Sequence, residues 1–321
     1  MRSAAYRANL LKLGVMALLA LAACAAYLLV DINPKYFDYA MSLRIPKLVV
    51  MLIAAFAIGR ASLVFQSVIN NTIVTPCLLG MNSLYTLIHT AVVFVAGSGS
   101  ILAVNANAAF AVDLIIMGLS ATVIYGTSLK RPTTTLYVLL IGTVLTSFFG
   151  SIQSTLTRVM DPNEYDSLLS TLVASFSNVN AEIILFSLVV LALLVFFLRR
   201  DLALLDVLTL GKEQAINLGV DYDRSVRRLL LGVTLAIAVA TAVVGPISFM
   251  GLIIANLSRQ LLKTYRHTQL IAGSVLFGMV ILVAGQLIVE HVYTYSIPIS
   301  VFITVGGGVY FLYLLLTRRR V

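Results

Sequence analysis

Residues 199–228 read RRDLALLDVLTLGKEQAINLGVDYDRSVRR and form the longest polar interruption in an otherwise apolar chain. Basic residues bound this stretch, and between them Gly211 and Gly219 enclose a short amphipathic segment. Because glycine just past the last turn commonly ends a helix, the pattern predicts a short helix held between two apolar segments. Such a helix, with charges on one face, suits docking to a soluble partner, and a solvated loop helix is the alternative. Its apolar face carries Ala215, Ile216 and Leu218.

The composition excludes a soluble globular protein. The chain has 321 residues, of which 60% are hydrophobic and 11% are charged, and its mean hydropathy is +1.01. Soluble domains carry roughly 25% charged residues, so this chain cannot cover its own surface in water. A helix needs about 20 apolar residues to cross the hydrocarbon core, which leaves room for about ten spans in a polytopic membrane protein.

Hydropathy predicts an all-α fold that forms a single transmembrane domain over residues 1–321. Pro46 suits the first turn of the second span, and Pro246 ends the seventh. A short external helix is expected within residues 167–177. The ten predicted spans cover residues 10–30, 47–68, 79–96, 101–125, 134–156, 183–198, 229–244, 249–262, 270–289 and 299–316.

The distribution of basic residues orients these spans. With ten spans and both termini in the cytoplasm, 17 of the 22 Lys and Arg residues fall in inner segments, including Lys130, Arg131 and residues 318–320. This asymmetry follows the positive-inside rule. The net charge of +9 therefore reports orientation, and without basic runs interleaved with exposed aromatics it does not indicate nucleic-acid binding. The outer segments hold only Lys35, Arg44, Lys47 and Arg158.

The sequence offers little chemistry of its own. Cys24 and Cys77 fall near opposite ends of the predicted topology, so we expect no disulfide, and no Cys/His metal spacing is present. Cys24 ends a run that looks like a lipoprotein cleavage site, but the apolar run continues to Val30, which favours an uncleaved first span. A membrane-embedded enzyme is disfavoured because no paired acids, H-x-x-x-H pattern or nucleophile motif occurs.

Five stretches carry motifs in a fixed order. They are residues 43–47 (LRIPK), Gln66 with residues 70–80 (NNTIVTPCLLG), 210–219 (LGKEQAINLG), 245–252 (GPISFMGL), and 297–298 (IP) with 306–308 (GGG). Together they resemble the permease subunits of ABC importers for iron–siderophore, haem and cobalamin, and residues 66–80 look most like the catechol-type ferric siderophore branch. The chain departs from the family pattern at Lys47, Asn71 and Ala255-Asn256, where the family has Arg, Pro and Pro-His.

The resemblance implies a permease subunit in the bacterial inner membrane, without a cofactor of its own, surrounded by membrane lipid. Its implied partners are an ATP-binding subunit, a periplasmic or lipoprotein substrate-binding protein, and a second permease chain that in this branch is usually a different paralogue. The implied substrate is a ferric siderophore. The ATP-binding subunit would grip a cytoplasmic coupling helix between spans 6 and 7. The implied coupling residues are Leu210, Gly211, Lys212, Glu213, Ala215, Leu218 and Gly219.

Two basic residues lie at the predicted outer mouth, against the charge rule. By the resemblance, Arg44 and Lys47 would meet acidic residues of the substrate-binding protein, and charge complementarity would mainly set the encounter rate. The alternative is interfacial anchoring of the second span by snorkelling side chains.

Arg60 and Asp113 are the charges predicted to lie deepest in the membrane. Because an isolated charge in lipid is costly, we expect them to form a structural contact, and a polar wall for an anionic ferric complex is the functional alternative. Four further residues at polar or broken positions are expected to line or shape the pathway, namely Gln66, Asn70, Pro246 and Gly251.

A secondary transporter driven by an ion gradient is the rival from another class. It should show several intramembrane carboxylates and broken helices at corresponding places in two halves. Asp113 is the only acidic residue deep in a predicted span, which gives this alternative little support.

Overall fold

The computed structural model describes residues 2–128, 135–172, 176, 181–294 and 297–318. All regular structure within these ranges is helical. The α-helices are, in order, α1 Arg2–Leu29, α2 Phe37–Val68, α3 Met81–Ala96, α4 Ile101–Val104, α5 Ala106–Ser128, α6 Thr135–Val159, α7 Pro162–Leu172, α8 Ala181–Ala203, α9 Leu205–Leu208, α10 Lys212–Asn217, α11 Tyr222–Val244, α12 Met250–Leu262, α13 His267–His291 and α14 Ile299–Arg318. Two 3₁₀ turns cover Pro34–Tyr36 and Pro76–Leu79.

The long helices follow the predicted spans in order, and the protein is a multi-pass membrane protein. Within the described ranges, seven helices are long and apolar enough to cross a bilayer. The 16-residue α3 is apolar but shorter. The 13-residue α12 spans only about 20 Å, less than the hydrocarbon thickness. The total of ten spans therefore stays a prediction. The seven are Tyr6–Leu29, Pro34–Val68, Ala106–Val123, Ile183–Ala203, Tyr222–Val244, His267–His291 and Ile299–Leu316.

The bundle packs around α2, which contacts α1, α8, α11, α12 and α13. Small residues allow the neighbouring helices to approach closely. The Ser274 hydroxyl on α13 donates to the Gly59 carbonyl at 3.0 Å. A Cβ placed at Gly251 of α12 would lie 1.9 Å from the Ser62 Oγ, so only glycine permits this crossing. Most of α2 from Leu48 to Ser67 is consequently buried.

The expected position of Pro46 in a first helical turn is wrong, because α2 begins at Phe37 and places Pro46 inside the helix. Proline removes the N–H that would bond to the carbonyl of Ser42, four residues earlier. Ser42 is exposed, so water can satisfy that carbonyl. The helix therefore tolerates proline in its outer extension.

The helix predicted within residues 167–177 begins earlier than predicted. It is α7, Pro162–Leu172, and the Glu164 carboxylate accepts a 2.6 Å hydrogen bond from the backbone N–H of Ser98 in the turn after α3. That bond ties the loop to the end of α3. Several predicted positions lie outside the described residues, namely residues 173–175 and 177 of the expected helix and the inner Lys130, Arg131, Arg319 and Arg320.

The helix α1 runs the length of the bundle and relates its two ends. Near the start of α1, the Lys12 ammonium donates to the Leu261 carbonyl at the end of α12, at 2.8 Å. Near the other end, the Tyr27 hydroxyl donates to the Glu290 carboxylate at 3.0 Å. Lys12 thus lies at the same end as the α12–α13 turn and its basic residues, as the charge rule predicts.

Candidate functional site

The predicted short helix between the sixth and seventh apolar segments is present as α10, Lys212–Asn217, and glycines bound it. Gly211 precedes it with φ +105° and Gly219 follows it with φ +81°, backbone conformations that side chains with a Cβ rarely adopt. The Gly219 N–H bonds to the Ile216 carbonyl, and the Val220 N–H to the Ala215 carbonyl. This pair of bonds is the Schellman arrangement that ends a helix.

The interior of this segment is anchored and its tip is exposed. Leu205, Leu208 and Ala215 are buried against the bundle. Leu210, Ile216 and Leu218 are instead 57%, 52% and 63% exposed. The prediction that Ala215, Ile216 and Leu218 share one face is therefore wrong. The helix has only six residues, and Leu218 is its C-terminal cap, past the last helical residue.

Ion pairs join α11 to α10 and to the end of α8. The Lys212 ammonium lies 2.8 Å from the Asp223 carboxylate, and both side chains are about half exposed. Arg228 lies 4.0 Å from the buried carboxylate of Asp201 at the end of α8. An exposed pair such as Lys212 with Asp223 contributes only ~0–1 kcal/mol, so it orients the segment more than it stabilises it. Glu213 is exposed.

A contact that the sequence did not reveal ties this segment to α13. The Asp206 carboxylate, on α9, accepts from the backbone N–H of His267 at 2.9 Å and lies 2.5 Å from its ring Nδ1. His267 is the first residue of α13, so Asp206 supplies an N-terminal cap from a distant part of the chain. In the sequence, the only indication of this contact is a histidine at the start of an apolar run, and that pattern does not identify Asp206 as its partner.

Side-chain hydrogen bonds connect α12 and two helix breaks. The first follows α2, where Asn70 adopts φ +52° and the Asn71 side chain accepts from the Ile73 N–H at 2.9 Å. The second, between α11 and α12, contains Pro246. The Asn256 amide donates to the Thr72 carbonyl at 2.7 Å and so joins α12 to the first break. Asn256, a departure from the family pattern, therefore has a structural role here.

The other predicted pathway positions are buried around these breaks. Gln66 is 1% exposed, and neither of its side-chain amide atoms has a hydrogen-bond partner within the described part of the chain. Arg259 of α12 donates to the Ser67 hydroxyl at 2.8 Å. Ser248 accepts from the Asn82 amide at 3.2 Å, which joins the second break to α3. Breaks of this kind occur in membrane proteins where backbone is buried in protein or lines a cavity.

The expected contact between Arg60 and Asp113 is not formed. The Asp113 carboxylate is buried and lies 3.1 Å from the His89 Nε2 on α3. The Arg60 guanidinium lies over the Phe56 ring, 5.7 Å from its centroid, and lines a small pocket with Leu202 and Leu229. The α2 helix ends at Val68 as predicted, and the pocket places Arg60 beside Leu202 near the end of α8 and Leu229 near the start of α11, whereas Asp113 faces α3.

At the end of α1, Arg44 has a structural role that the sequence did not predict. Its Nη1 donates to the carbonyls of Tyr27, Leu28 and Val30 at 3.1, 3.2 and 2.7 Å. These carbonyls belong to the last turn of α1 and to Val30 just after it, where no further helical N–H satisfies them. Arg44 and Lys47 are both partly exposed.

Comparison with known proteins identifies a family and two similar permease proteins. The sequence matches the FecCD transport family over residues 9–317. It is 38% identical over 313 residues to the petrobactin import system permease protein YclO of Bacillus subtilis (strain 168), covering 97% of this chain and 99% of that protein. It is 31% identical over 315 residues to the petrobactin import system permease protein FatC of Bacillus anthracis, covering 95% and 88%.

A solved structure shows the same fold. It is described as a metal-chelate type ABC transporter in an inward-facing conformation, and it superposes with a TM-score of 0.81 at 22% identity over 95% of this chain and 98% of that chain. One conclusion follows from three observations. They are the order of the motifs, the helical bundle with its short glycine-bounded helix, and the family match over nearly the whole sequence. The protein belongs to the FecCD transport family.

Proposed function

We propose that this chain is the permease subunit of an ABC importer for ferric siderophore complexes. The two petrobactin permeases that it resembles support a catechol-type ferric siderophore as the substrate class, as residues 66–80 predict. The observation that carries the coupling role is the exposed apolar tip formed by Leu210, Ile216 and Leu218, which we call the coupling tip. An apolar surface held on an anchored, charged loop is typical of a protein-binding site.

The partner at the coupling tip would be the ATP-binding subunit. α8 enters the coupling segment and α11 leaves it, so a displacement of α10 acts directly on both. The bonds from His267 to Asp206 extend this connection to α13. α11 and α13 both pack along the central α2. This geometry supports a route from nucleotide-driven movement to the helices that would enclose the pathway.

The proposed orientation of the chain in the membrane indicates where the remaining partners would bind. We place the chain in the bacterial inner membrane as a single domain with both termini cytoplasmic, which the end-to-end contacts of α1 support. A substrate-binding protein would meet Arg44 and Lys47 at the outer mouth, and a second permease chain would complete the pathway. The breaks near Asn70 and Pro246, with Gln66 and Gly251, are proposed to shape that pathway.

Reconstitution tests the coupling role. The complete transporter, with the ATP-binding subunit, the second permease and the binding protein, is placed in liposomes with Ile216→Asp and Leu218→Asp. Burying unpaired carboxylates in an interface costs several kcal/mol. We therefore expect loss of the co-purifying ATPase and at least a tenfold drop in ATP-dependent uptake. Tyr265→Asp is the matched control, since Tyr265 is 73% exposed at the same end but outside the coupling tip.

Two results would refute the proposal. The first is uptake at the normal rate, with the ATPase still bound, in the double variant. The second is uptake that continues when the ATPase is disabled and stops when the ion gradient is dissipated, which would identify the secondary transporter instead.

A further inference from the structure

A groove of about 660 Å³ lies between α2 and α8 and opens away from the core. From α2 it is lined by Val49, Leu52 and Phe56, and from α8 by Leu188, Ala192 and Val195, with Arg199 at its inner end. On α2 these residues form a single stripe. Between Leu48 and Ser67 every residue is buried except Val49, Leu52, Phe56 and Arg60. The groove is therefore the one place where this stretch of the central helix is left open.

Two arginines lie at the inner end of this groove. Arg60 lines the smaller pocket that shares Phe56, Leu191 and Val195 with the groove, and Arg199 lines the groove itself. Each guanidinium lies near an aromatic ring on its own helix, Arg199 at 4.7 Å from the Phe196 centroid and Arg60 at 5.7 Å from that of Phe56. Within the described residues, neither has a carboxylate within ion-pair distance.

Two other basic residues near the coupling segment do have a carboxylate partner. Arg228 is paired with Asp201, and Lys212 with Asp223. Arg60 is partly buried and Arg199 is exposed at the mouth of the groove. A guanidinium beside apolar membrane surface is stabilised by a counter-charge, and a phosphate matches its planar donors well. Basic pockets between membrane helices on the cytoplasmic side recognise anionic lipid headgroups. An apolar helix of another subunit would fill the groove but would supply no counter-charge to the two arginines.

We propose that the groove binds one anionic phospholipid, with an acyl chain along α2 and α8 and the phosphate between Arg60 and Arg199. The apolar lining accepts the chain and the two guanidinium groups recognise the charge. α8 continues directly into the coupling segment, so this lipid would contact the base of the element that carries the coupling tip. The site is independent of the proposed substrate.

Lipid binding to the purified complete transporter tests this site. Phosphatidylglycerol and, separately, phosphatidylcholine are titrated into delipidated complex in detergent, and the apparent Kd is measured by native mass spectrometry. We expect phosphatidylglycerol to bind more tightly, with an affinity that falls as salt rises. Each arginine near the surface contributes about fivefold, so Arg60→Gln with Arg199→Gln should weaken binding about twenty-fivefold.

Two further variants separate the apolar part from the charge. Ala192→Trp fills the groove and should weaken phosphatidylglycerol binding, whereas Leu193→Trp, exposed on the same helix but outside the groove lining, should not. The melting temperature of each lipid-free variant establishes that it is folded. The site is disproved if the double arginine variant binds phosphatidylglycerol as tightly as the unmodified protein, or if phosphatidylcholine binds equally well. It is also disproved if Ala192→Trp blocks assembly with the second permease chain, because a helix would then fill the groove.

Discussion

The carboxylate of Asp206 caps the start of α13 by accepting two hydrogen bonds from His267, one from its backbone N–H at 2.9 Å and one at its ring Nδ1 at 2.5 Å. The two residues belong to the coupling segment and to a helix that packs along α2. Asp206 places a negative charge at a helix N-terminus, which stabilises the orphan N–H groups there. The coupling segment is therefore joined to the bundle through a third helix besides α8 and α11.

Removing this cap should destabilise the protein and weaken coupling. We expect Asp206→Ala to cost about 1–2 kcal/mol, since a helix cap is lost and a buried imidazole loses its partner. The melting temperature of the purified transporter and the uptake per ATP hydrolysed should both fall. Asp223→Ala, which removes only the half-exposed pair with Lys212, is the control and should change little. Equal changes in melting temperature and uptake for the two substitutions would show that the cap contributes no more than an exposed ion pair.

The crossing of α2 and α12 should not tolerate a methyl group. In Gly251→Ala the new Cβ would approach the Ser62 Oγ to 1.9 Å, so the helices must separate, at a cost of about 1–3 kcal/mol. Adding Ser62→Gly should recover much of the lost thermal stability. Gly306→Ala, where no atom lies within 4 Å, serves as control and should leave the melting temperature unchanged or raised. No recovery in the double variant would mean that another contact restricts this position.

We expect the contact between Asn256 and the break after α2 to be needed for transport. Asn256→Ala removes the 2.7 Å bond to the Thr72 carbonyl, which contributes about 1 kcal/mol, and frees the segment after α2 to move. We expect slower uptake while the ATPase remains bound. Asn256→His keeps a ring N–H donor and should restore part of the rate, whereas Asn163→Ala on the exposed surface of α7 should have no effect. If Asn256→Ala shows normal uptake, the bond from Asn256 to the Thr72 carbonyl has no role in transport.

The two roles available to the outer basic residues can be separated. Arg44→Ala removes three hydrogen bonds to the end of α1 and should lower the melting temperature. Lys47→Glu should instead slow association with the substrate-binding protein at low salt, because complementary charges mainly accelerate encounter. Association rates measured at two salt concentrations check this, with Lys35→Glu in the exposed outer loop as control. A rate that Lys47→Glu leaves unchanged contradicts the docking role and leaves anchoring as the explanation.

Particular residues show how far the sequence could lead. The glycines at 211 and 219 predict the ends of α10 because helix termination depends on local backbone conformation. The apolar runs predict the long helices for a similar reason, since in lipid a helix satisfies its backbone hydrogen bonds within its own segment. The start of α2 was misplaced because Pro46 is a strong local signal, yet the exposed outer end of the bundle tolerates it.

By itself, the sequence determined that the chain is a helical membrane protein, that its basic residues concentrate towards one side, and that a short glycine-bounded helix interrupts the spans. Only the tertiary structure decided which side chains meet across helices. Asp206 meets His267, Asp113 meets His89 instead of Arg60, and Arg44 reaches the end of α1. The physical reason is that hydropathy and local propensity act over a few turns of one helix. Partner choice instead depends on the depth and rotation of separate helices, which close packing at small residues such as Gly251 sets.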